Sequence, residues 1–168
     1  MNLLEAKNLY KSFGSINAVS DISISLNVGE VIGFLGPNGA GKSTTMKMLT
    51  GFLEADSGSI EIKKIDLSKD PINAKSIIGY LPEGAPSYSD MTVKSFLYFV
   101  GKMRGLKDEL LEKRLEIMLK DINLSDVQNQ IIETLSKGYK RRVGIAQALI
   151  HDPDTVSYTH LTLPTIYS

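Results

Sequence analysis

The sequence predicts an α/β layered fold, and three observations carry the prediction. A short apolar run, Val31 to Leu35, leads into a glycine-rich loop. A proline-free stretch from Ser43 to Leu53 follows, with Met46, Leu49 and Phe52 at near-helical intervals. Alternating residues then return in "SGSIEIKKIDL", and beyond Thr92 the apolar positions fall on helical faces. Strand, helix and strand in that order imply packed layers of sheet and helix.

Taken in order, Ile22, Ile24, Leu26 and Val28 alternate with Ser23, Ser25 and Asn27, the period of a strand with one wet face. Gly29 marks a turn. Val31 to Leu35 is nearly continuous in apolar residues, as expected of a strand buried on both faces in a parallel sheet. After the helix, Ile60, Ile62 and Ile65 alternate again, and "SIIGYLP" offers another short strand ending at Pro82. Leu111, Leu115, Met118, Leu119 and Ile122 fall at i, i+4, i+7, i+8 and i+11, a core-facing helical stripe. A last helix runs from about Ser136 to Ile150, before "HDPD" breaks it.

The length of 168 residues suits one domain, and 42% hydrophobic with 23% charged residues excludes the disordered and fibrous classes. Nineteen Lys plus Arg balance nineteen Asp plus Glu, so no global field holds nucleic acid or an anionic membrane. Without cysteine there is no disulfide or thiolate zinc site. Glu5, Lys7 and Lys11 stand where a signal peptide needs an apolar core, and no stretch has the apolar length of a membrane span. A cytoplasmic protein is expected, reaching a membrane only through a partner.

"GPNGAGKS" fits G-x-x-x-x-G-K-[ST] with Gly36, Gly41, Lys42 and Ser43, between an expected strand and an expected helix. Phosphates need several backbone N–H groups converging on them. Gly36, Gly39 and Gly41 permit the dihedrals and close approach of such a nest, with Asn38 and Ala40 between them. The helix N-terminus adds its positive end. Lys42 reaches the β- and γ-phosphates, the Ser43 hydroxyl is placed to ligate Mg²⁺, and Thr44 offers a further phosphate contact.

The loop alone does not choose among kinases, GTPases and ATPases. In "ETLSKGYKRRVGIAQALI", Ser136 is placed to cap a helix and Gly138 leaves its first turn open to an anion. With "GPNGAGKST" this stretch resembles the ATP-binding-cassette family, whose signature is typically Leu-Ser-Gly-Gly-Gln. Here it stands as Leu135, Ser136, Lys137, Gly138 and Tyr139, departing at two positions. The resemblance covers residues 1 to 155. It implies a phosphate-loop NTPase core with an N-terminal antiparallel β-subdomain and a helical insertion, residues 92 to 150 holding the helical subdomain and the signature helix. It further implies ATP and Mg²⁺ as cofactors, ATP hydrolysis, and a head-to-tail dimer in which the signature of one protomer meets ATP on the other. The partner is a transmembrane permease, so the chain is expected on the inner face of the membrane without entering it.

Within that resemblance, "LYKSFG" looks like the aromatic loop before the first hairpin. Phe13 is then the ring stacked on adenine, with Tyr10 as its rival. "IGYLPEGAPSYSDMTV" looks like the loop that senses the permease, with Glu83 in place of the usual glutamine. Glu83 could bind a Mg²⁺-bound water, a catalytic and metal-directed role, or be a solvated loop residue. "YLPE" together with "LSKGY" resembles the cassettes of two-component bacterial exporters. Lys137, Lys140, Arg141 and Arg142 read as a solvated helix face, and no nucleic-acid partner is expected. The alternatives to a transporter subunit are a cassette ATPase acting on nucleic acid or ribosomes, and a non-catalytic nucleotide-binding module.

Asp152, Pro153 and Asp154 keep step with the family pattern, which continues with an apolar strand ending in aspartate and glutamate and, later, a histidine. Val156 to Ser168 contain no Asp, Glu, Lys or Arg, and His151 and His160 come too early for that histidine. Back-translated in one frame, Val156 to Thr165 resemble a transposon-end adapter used in sequencing libraries. Residues 156 to 168 are therefore expected to be a non-native tail, the domain incomplete at its C-terminus, and the chain itself catalytically incompetent.

Overall fold

The computed structural model describes residues 2–81 and 88–158. The chain divides into two compact units, residues 1–78 and 79–168.

In the first unit, β1 (Asn2–Phe13) and β2 (Ile16–Asn27) form a long antiparallel hairpin. β3 (Ser57–Ile62) pairs with the other edge of β1, and the short β4 (Ile65–Asp66) with β3, giving the order β2-β1-β3-β4. This is the expected antiparallel β-subdomain. It is larger than the alternation at Ile22 to Val28 suggested, and the bulge in β1 hides that strand from the pattern: its register shifts between Ala6 and Leu9, where Asn8 takes φ 48. Leu3, Leu4, Ala6 and Leu9 are consequently the buried residues of β1, a spacing without strict period two.

One helix, α1 (Lys42–Leu49), packs Met48 and Leu49 into the core with Leu9, Ile60 and Ile62. It ends sooner than Leu53. Gly51 adopts φ 71 and Phe52 lies outside the helix, exposed, so only the first part of the expected stripe is helical. A short helix, α2 (Pro71–Ser76), follows β4, its N-terminus capped by Asp70 and started by Pro71.

The expected buried strand at 31–35 is corrected. No strand forms there, and Val31 and Leu35 are 90% and 85% exposed. Apolar composition favours burial, but an internal strand also needs a hydrogen-bonding neighbour. Among the described residues none pairs with this run, and only Phe34 packs against the core.

In the second unit, α3 (Val93–Met103) is capped by Thr92 and α4 (Asp108–Asp121) buries Leu111, Leu115, Met118 and Leu119 of the stripe read from sequence, whose last member, Ile122, is the half-buried C-cap. Two 3₁₀ turns lead to α5 (Lys137–Leu149), and Phe96, Leu97, Leu111, Ile132 and Val143 form the centre of this core. Gly101 lies so close to Leu111 that a Cβ would collide with its side chain. β5 (Ile78–Leu81) and β6 (Thr155–Tyr158) form a two-stranded sheet. β6 therefore crosses the boundary expected at 155, and the remainder of the expected tail lies outside the described residues.

Candidate nucleotide-binding site

The loop from Gly36 to Gly41 delivers the chain to α1 with Gly39 at φ 86 and Gly41 at φ 80 as the helix N-cap. A Cβ on Gly41 would collide with the Ala18 carbonyl oxygen of β2 and meet Val19. Glycine is therefore required twice at this position, for its dihedral and for its lack of volume. The Thr45 N–H donates to the Gly41 carbonyl at 2.8 Å, closing the first helical turn. The N–H groups of the residues before it have no intrahelical acceptor, and α1 has no acidic residue in its first turn. Such an end attracts an anion.

Lys42 folds back over the loop, its Nζ donating to the Gly36 and Pro37 carbonyls at 2.6 Å each. The ammonium is thus tied to the carbonyls at the start of the loop. Asn38, Gly39, Ala40 and Ser43 are exposed, Thr44 is half-buried and Thr45 is buried. A single exposed hydroxyl, Ser43, suits Mg²⁺ that keeps water and phosphate oxygens as its other ligands. No cluster of three acidic, His or Cys residues able to hold a metal by itself occurs among the described residues.

Phe13 is the last residue of β1, opposite Ile16 and 49% exposed. It stands at the turn of the hairpin, not in a loop before it, as the sequence had suggested. Tyr10 is also exposed, but it lies farther down β1, opposite Ser57 of β3. Lys11 pairs across the hairpin with Val19, the residue that flanks Gly41, so Phe13 and the flank of Gly41 belong to one end of the hairpin. Sequence reasoning missed Lys11 and Asp56. Lys11 Nζ donates to Asp56 Oδ1 at 2.6 Å, and the Ser12 N–H donates to Oδ2 at 2.7 Å. These bonds, the lysine's first, hold the Asp56 carboxyl below its ordinary pKa.

The signature residues lie in the second unit. Leu135 is buried, the Ser136 hydroxyl accepts the Tyr139 N–H at 3.4 Å as the α5 N-cap, and Lys137 is exposed. A Cβ on Gly138 would meet only Ser136 Oγ, at 3.9 Å, so there is space beside the first turn. The Arg142 guanidinium stacks over the Tyr139 ring, 5.2 Å from its centroid. Glu83 lies outside the described residues, as does His160. At the other end of α5, Arg114 of α4 donates from Nη2 to the Leu149 carbonyl at 2.9 Å and from Nε to the Ile150 carbonyl at 3.2 Å. It also pairs with Asp152 at 3.1 Å.

Loop, lysine and helix end together define a phosphate-loop nucleotide-binding domain. A family model described as "ABC transporter" matches residues 19–157, and the chain belongs to that family. It is 41% identical over 152 residues to the linearmycin resistance ATP-binding protein LnrL of Bacillus subtilis, covering 90% of this chain and 49% of that protein. It is 38% identical over 148 residues to the ABC transporter ATP-binding protein NatA of the same species, covering 88% of this chain and 60% of that one. A solved ATP-binding subunit of an ABC transporter superposes with a TM-score of 0.81 at 31% identity, over 90% of this chain and 63% of that one. The chain thus spans about half to two thirds of the length of these relatives. Among the described residues no helix is long and apolar enough to cross a membrane.

Proposed function

We propose that the chain is the nucleotide-binding part of a transporter ATPase subunit, taking ATP with its triphosphate in the Gly36–Thr44 loop and its base on Phe13. The observation that carries this reading is Gly41, a left-handed helix cap pressed against the Ala18 carbonyl and opening α1 toward an anion. Lys42 neutralises the β- and γ-phosphate oxygens and Thr44 adds a hydroxyl contact. Ser43 would hold Mg²⁺, which when bound would spread the phosphate charge, and Glu83 would bind a water on the metal.

Leu135 to Tyr139 present the open first turn of α5 to the γ-phosphate on a second protomer, so that dimer closure reports ATP to a permease. Lys137 and Tyr139 replace the usual glycine and glutamine there. The matching family and the name of NatA support a transporter, and the likeness to a resistance protein, LnrL, favours export. The domain proper is assigned to residues 1–155, its last strand β6 running on to Tyr158, with the helical part at 92–150, and the working place is the cytoplasmic face of the membrane. The chain as it stands turns over ATP little, since residues 156–168 carry no carboxylate to direct metal or water.

Equilibrium ATP binding tests the core of this reading. Lys42→Ala is expected to weaken it by at least tenfold, on the scale of about 1.5–3 kcal/mol for a charge-assisted contact. Unchanged affinity would remove the loop from the site. ATP turnover that is readily measured and abolished by the same substitution would refute the proposed incompetence.

A further inference from the structure

We infer that Lys11, locked by Asp56, is a positioning residue that fixes the Phe13 ring as a platform for the nucleotide base. The inference rests on the reading of Phe13 given above. Three observations carry it. Lys11 Nζ stands over the Phe13 ring, 5.8 Å from its centroid, within the range of a cation–π contact. The lysine is not a waving surface chain: it is bonded to Asp56 at 2.6 Å and its side chain is only 15% exposed. The other Asp56 oxygen takes the Ser12 N–H, so one carboxylate fixes both the cation and the backbone leading into Phe13.

The hairpin fixes the remaining direction. Phe13 pairs with Ile16, Ser12 is tied to Asn17 through their side chains at 2.9 Å, and Lys11 pairs with Val19 beside Gly41. From Val19 to Ile16 the strand advances roughly 10 Å, the scale of a nucleoside and not of one phosphate. A ring held at that distance from the phosphate loop, about half exposed, offers its surface to a purine without first losing side-chain freedom. Asp56 enters β3 from the loop after α1, which links the platform to the element that follows the phosphate-binding helix.

The experiment compares binding of ATP and of inorganic triphosphate, each with magnesium, to the intact chain. Lys11→Met is expected to weaken ATP about two- to fivefold while leaving triphosphate unchanged, the size of an exposed cation–π contact. Lys11→Arg, which keeps the cation and its partner, should restore ATP binding. Asp56→Asn should lose part of it, because the amide still accepts the Ser12 N–H but does not fix the ammonium. In a Phe13→Ala background, Lys11→Met should add nothing. Equal weakening of both ligands would mean a merely structural role and overturn the inference, as would no weakening or full additivity. If Phe13→Ala itself fails to separate ATP from triphosphate, the base-platform reading falls and takes the inference with it. If Phe13→Ala separates them and Lys11→Met does not, only the inference falls.

Discussion

At Gly41 the backbone stands at φ 80 and the Ala18 carbonyl fills the space a Cβ would take, so Gly41→Ala is strained twice. The expected loss is about 2–3 kcal/mol of stability, read from a urea midpoint, together with loss of ATP binding. An alanine that leaves both unchanged would mean that the loop moves away from β2 at little cost. Asp66 offers a residue-scale test of electrostatics at a place remote from the loop. Its carboxylate accepts the Ser68 hydroxyl and N–H and pairs with Lys69, which lowers its pKa from 3.8 to about 2. The depressed pKa means that the folded state favours the charged form. Its contribution is therefore complete above 3.8 and is lost as pH falls through about 2. Asp66→Asn should flatten the acid limb of the stability curve in that window and leave the neutral plateau's slope unchanged. An acid limb identical in the variant would assign it to other carboxylates.

The Arg114 clamp is where one helix governs another. It caps the last carbonyls of α5, and its side chain is 17% exposed against 79% for Asp152. Removing it leaves two carbonyls short of a charged donor, so Arg114→Leu should cost about 1.5–3 kcal/mol. Asp152→Asn should cost less than about 1 kcal/mol, as exposed ion pairs do. Matching losses in chemical denaturation would shift the weight to the ion pair. None of this was legible in "EKRLEIMLK", because the carbonyls that Arg114 meets lie 35 and 36 residues away. The helices themselves were legible, since Leu111, Leu115, Met118 and Leu119 repeat on one face and Ser136 caps α5 where the pattern starts. The phosphate loop was legible for a similar reason: its functional groups are contiguous in sequence. Lys11 and Asp56, 45 residues apart, were not, and β1 was hidden by the bulge at Asn8.

For the molecule as a whole, composition and hydrogen bonding disagree most at residues 31–35. The run Val31, Ile32, Phe34 and Leu35 has the apolar density of an internal strand, yet Val31 and Leu35 are exposed and no described strand pairs with it. Val28, just before it, is also exposed, at 64%. Apolar side chains and unladdered backbone groups on one segment favour pairing with another copy by edge addition. The chain should therefore associate as its concentration rises, whether or not ATP is present, and sedimentation velocity over a concentration series reads this directly. Val31→Lys places a charge in the run, five residues before the phosphate loop. It should shift the distribution toward monomer by at least tenfold in apparent association constant, on the scale of about 1.4 kcal/mol or more for burying an unpaired charge. ATP affinity should stay as it was, because Val31 lies outside the loop and its side chain is 90% exposed. Association that survives Val31→Lys unchanged but is abolished by Ser136→Arg would place the contact at the first turn of α5, and the exposed run would then be a solvated segment instead of an interface.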